Sequence, residues 1–129
     1  MKGLAKVAFF LFLGAGVIWA DDVWYSQAYL CYLSLGYICM LSTNGMYTSE
    51  NAMARVKEVR SIAQSTLRQL YQGGSGAREQ ALRVVYENLV FQANGLLSVL
   101  ETPSEEVVKS YDQLRQKTWY ALEMVKEIP

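Results

Sequence analysis

Apolar residues recur three and four positions apart along most of this chain, and the places where that rhythm breaks divide it into helices. Ala52, Val56, Val59, Ala63, Leu67 and Leu70 form one stripe that runs on to Tyr71, with Arg55, Lys57, Glu58, Arg60 and Arg68 between them. Leu82, Val85, Leu89, Ala93, Leu96 and Leu100 form a second, and Arg78, Glu79, Arg83 and Glu87 face away from it. Val107, Val108, Tyr111, Leu114, Thr118, Ala121, Leu122 and Val125 form a third. Spacing of this kind gathers side chains on one face of an α-helix, so each stretch reads as an amphipathic helix.

The breaks carry helix stop and start signals. Asn44-Gly45 interrupts the chain, and Thr48-Ser49-Glu50 opens the next helix. Gly73-Gly74-Ser75-Gly76 places three glycines in four residues, too costly in backbone entropy for a helix to continue. In Thr102-Pro103-Ser104-Glu105, Thr102 reads as the cap, Pro103 as the first helical residue and Glu105 as the end of a capping box. The predicted helices are 23–42, 49–72, 77–100 and 103–127. Similar lengths and short loops make successive helices antiparallel neighbours. The fold class expected for residues 21–129 is all-α: an up-down-up-down four-helix bundle, or a three-helix bundle plus an apolar N-terminal helix. Gly95, inside a helix at a cost of up to about 1 kcal/mol relative to alanine, is a candidate point of close helix approach.

The first helix differs from the other three. Val23 to Ser49 holds no charged residue, and Val23 to Leu41 is apolar or aromatic nearly all round. A helix without a polar face is buried in a protein core or in a membrane. Ser26, Gln27, Ser34 and the tyrosine hydroxyls need hydrogen-bonding partners, which favours the protein core and makes this the expected most buried helix. Tyr25, Tyr29, Tyr32 and Gly36 share one face. Trp24, Tyr25, Tyr29 and Tyr32 are therefore candidates for a partner surface, since tyrosine offers apolar area and a polar tip at low entropic cost. The alternative is that they line the rim of the bundle core.

Residues 1–20 have the three-part layout of a secretory signal peptide. Lys2 and Lys6 come first, an apolar run from Val7 to Ile18 follows, and Ala20 precedes Asp21-Asp22. Cleavage there sends a mature protein to the periplasm or the exterior. The alternative is an uncleaved inner-membrane protein, in contact with lipid through residues 4–41. In it, 4–20 and 23–41 form a transmembrane hairpin of a pore- or filament-forming subunit, with basic residues flanking both arms on one side.

Charge and composition remove several function classes. Twelve Lys/Arg balance twelve Asp/Glu in 129 residues, which leaves no basic excess for nucleic acid. The chain has no histidine, which excludes Ser-His-Asp and Cys-His nucleophile systems and His-ligated zinc or haem. Cys31 and Cys39 stand about 12 Å apart on an unbroken helix, so a bridge between them requires a break, with Gly36 the only place for one. They read as buried free thiols or, failing that, as a disulfide or redox pair. Together with Met40, Met46 and Met53 they form a loose set of soft ligands of the kind that holds Cu(I), but more often such residues pack a core. Glu105, Glu106, Asp112, Glu123 and Glu127 read as a solvated face, and the glycine loop lacks the Lys-Ser/Thr of a phosphate loop.

No catalytic, cofactor-binding or metal-binding residue is assigned. The expected function is an exported, non-catalytic helical module that binds another protein, or a copy of itself, as an assembly or secretion subunit, an adaptor or an inhibitor. A small-ligand or Cu(I)-binding bundle is the remaining alternative.

Overall fold

The computed structural model describes residues 20–128, with side chains from Val23 onward. Except for Ala20, the signal-peptide segment lies outside the described residues. Four helices follow one another: α1 (Ala20–Thr43), α2 (Ser49–Gln72), α3 (Ala77–Glu101) and α4 (Glu105–Glu127). They form an all-α four-helix bundle.

Each turn is closed by specific groups. Gly45 takes a left-handed φ of 73°, and beside it Gly45 N donates to Ser42 O and Met46 N to Leu41 O. This pair of bonds satisfies the orphan carbonyls at the end of α1 in a Schellman motif. The Thr48 hydroxyl then accepts from Asn51 N and starts α2. At the next turn the Arg83 guanidinium donates to Leu70 O and Gly74 O, so a cation from α3 seals the negative end of α2. Arg78 does the same for α4, donating to Val125 O and Ile128 O. The N-terminal part of α3 therefore sits beside the C-termini of α2 and α4. Tyr86 reaches Trp24 O, which brings the start of α1 to the same end.

The start of α4 corrects the sequence expectation. Ser104, not Thr102, is the N-cap: its φ and ψ are extended and its hydroxyl accepts from Val107 N. Thr102 instead closes α3, its N–H donating to Ser98 O. Pro103 disfavours helical geometry at the residue before it, so it separates the two helices rather than opening the second.

Burial also departs from expectation. The uncharged helix is not the most buried one. That place belongs to α3, which packs most extensively on α2 and α4 and is touched by α1 as well. Leu82, Val85, Tyr86, Leu89, Ala93 and Leu96 of α3 are all fully buried, each large side chain contributing about 1.5–3 kcal/mol. α1 lies across the other three helices and buries Ala28, Cys31, Leu35 and Ile38. Among the described residues, which include 23–41, no helix is long and apolar enough to cross a membrane.

Among the described residues three polar side chains are buried, Thr66, Gln92 and Thr118, and half-buried Gln27 joins the first of them. Gln27 of α1 is anchored: its Oε1 accepts from Thr66 of α2 at 2.7 Å and lies 2.8 Å from the Tyr86 hydroxyl of α3. Gln92 of α3 is fully buried without a hydrogen bond to either side-chain atom, and the Tyr111 hydroxyl beside it is also unpaired. At the same level Gly95 allows α3 and α4 to approach closely. A Cβ there would come within 2.8 Å of Leu114 Cδ1 and 3.7 Å of Tyr111 Cα.

Candidate interaction surface

α1 divides lengthwise into three faces, and each does something different. The inner face carries Ala28, Cys31, Leu35 and Ile38 into the core. The flank toward α4 carries the tyrosines that share one side of the helix. The third face points outward.

On the flank, the Tyr29 and Tyr32 rings lie 6.5 and 5.7 Å from Trp119 of α4, tilted by 48° and 37°. These are favourable tilted arrangements for ring quadrupoles. Arg115 and Lys126 stand on either side of Trp119 along α4. The Arg115 pKa is raised, first by its hydrogen bond with Asp112 and to a lesser degree by Tyr32. That of Lys126 is raised first by Glu123 and next by Tyr25. The candidate residues Trp24, Tyr25, Tyr29 and Tyr32 are all half-buried against the core. They belong to the joint between α1 and its neighbours, with only their edges available to a partner.

An open depression of about 320 Å³ lies over this joint, lined by Tyr32, Arg115, Gln116, Trp119 and Tyr120. It is at the lower end of the size range for small-ligand sites, and its one cation is already engaged by Asp112. Its lining includes no carboxylate, thiol or other group positioned as a base or nucleophile.

The outward face holds Leu30, Leu33, Tyr37 and Met40, all exposed, at spacings of three and four residues. Ser26 and Ser34 are the polar side chains around it, and no charge interrupts it from Val23 to Thr43. Other exposed apolar residues have charged or amide neighbours. Phe91 and Val84 of α3 lie among Gln80, Glu87, Asn88 and Asn94, and Tyr120 and Met124 of α4 among Gln116, Lys117, Glu123 and Glu127. None of the four outward residues of α1 stood out in the sequence as part of a partner surface. A helix with apolar residues on every side gives no periodic signal of which side faces out.

The cysteines do not form a disulfide pair within the chain. α1 runs unbroken through Gly36, so Cys31 and Cys39 stay about 12 Å apart, and both are free. Burial pushes the Cys31 thiol up to about 12. The soft-ligand set is not gathered either. Cys31 is buried while Met40, nine residues on and half a turn round, is exposed on the opposite face. Among the described residues no group of three or more His, Cys, Asp or Glu side chains is placed to hold a metal ion.

No known family model matches the chain, and no curated protein or solved structure is significantly similar to it.

Proposed function

We propose that this protein is an exported, non-catalytic helical module that binds another protein chain through the outward face of α1. The observation that carries this reading is the charge-free, exposed stripe Leu30–Leu33–Tyr37–Met40 on a helix whose inner face is already satisfied by its own bundle. Leaving such a stripe in water has no benefit for the isolated fold, and contiguous apolar surface rimmed by polar groups marks interaction sites. Tyrosine, methionine and leucine on the stripe, with Arg115 and Asp112 at its edge, give the apolar centre and polar rim of a protein interface. Export rests on the charged-apolar-small layout of residues 1–20.

The test uses two matched positions. Tyr37 is 60% exposed on the α1 face and Phe91 is 58% exposed on α3. A photo-activatable phenylalanine analogue at each position, irradiated in the expressing cell, should give a discrete crosslinked protein species from position 37 and none from position 91. Equal crosslinking from both, or none from 37, removes the reading. Intact-mass measurement of exported material tests location. The expected mature protein begins at Asp21 and, having lost Lys2 and Lys6, carries ten positive and twelve negative charges, a net −2.

A further inference from the structure

We draw no further inference here: the strongest candidate, the uncharged surface patch Leu30–Leu33–Tyr37–Met40 on the outward face of α1, is the site already described, and nothing in the structure shows what covers it.

Discussion

α1 and α4 are of nearly equal length, 24 and 23 residues, and pack into the same bundle, yet they hold their places by different means. In α4, charges on one side leave a single stripe to bury, and Tyr111, Thr118, Ala121, Leu122 and Val125 go inside. In α1, apolar residues lie on every side, so hydrophobicity alone does not choose the inner face. Shape and hydrogen bonding choose it. Small Ala28 and Cys31 fit against neighbouring helices, and Gln27 finds Thr66 and Tyr86. A chain can thus have one helix oriented by its charges and another oriented by its partners; both leave apolar residues outside, but only on the second does no charged residue lie among them.

The sharpest way to break this comparison is to truncate one leucine on each helix. Leu122, fully buried in α4, should cost about 2–5 kcal/mol when changed to alanine. Leu33→Ala on α1 should stay within about 0.5 kcal/mol. Urea unfolding followed by circular dichroism, at concentrations where the chain is monomeric, measures both. A loss at Leu33 as large as that at Leu122 means that its side chain supports the single-chain fold.

The same contrast explains what was legible beforehand. The stripes of α2, α3 and α4 are written as alternation of charge and apolarity, and Ala52, Val56, Ala63, Leu70, Leu82, Leu89 and Leu96 are buried as that alternation requires. Val108 and Tyr71 are exceptions, exposed in the first turn of α4 and the last turn of α2, where a helix end has little to pack against. The cap at 104 was displaced from 102 because two helices compete for the same short loop and Pro103 allows only one of them to use Thr102. The tyrosine stripe was visible as a face, but its neighbour was not. Trp119 comes from a helix about ninety residues away, and only the topology brings it near. Gln92 gives no local sign of being buried.

A second variant sharpens the account of α4. Its inner face is not fully satisfied, since the Tyr111 hydroxyl and both polar atoms of Gln92 are buried without hydrogen bonds. Replacing both members of such a pair by apolar groups removes the desolvation penalty, whereas replacing one leaves the other exposed to it. Gln92→Leu with Tyr111→Phe should be more stable than the parent by about 1–3 kcal/mol, and more stable than either single change.

The two helices also share an alkaline weakness, with one group on each. Burial raises the Cys31 thiol of α1 from 9.0 to about 12. Burial likewise raises the Tyr111 hydroxyl of α4 from 10.0 to about 12. Both groups are neutral when protonated, so in the folded state they hold their protons at pH values where the unfolded chain has released them. Their contribution is fully present below pH 9 and is lost as pH rises from there toward 12. The loss should be on the order of 1 kcal/mol by pH 10, mostly from Cys31. Cys31→Ala should flatten the first part of the decline in a plot of unfolding free energy against pH, whatever its effect at neutral pH.

The smallest effect is expected at the edge of the α1–α4 joint. Arg115 and Asp112 are paired at 3.1 Å but both are well exposed. Asp112→Asn should change stability by less than about 0.5 kcal/mol, because solvent screens such pairs. A larger loss in the same urea titration would mean that the depression over Trp119 depends on this pair.

The central claim is that the outward face of α1 is covered when the protein is at work. Methionine oxidation tests it most directly, because the chain carries its own control. Met40 on α1 is 49% exposed and Met124 on α4 is 63% exposed, so in a lone chain a mild peroxide dose should oxidise them at similar rates. In the expressing cell, peptide mass spectrometry should find Met40 oxidised several-fold more slowly than Met124 in the parent, and at a comparable rate in Leu33→Glu. Equal rates in the parent would contradict the account, because the face would then be open to solvent in the cell.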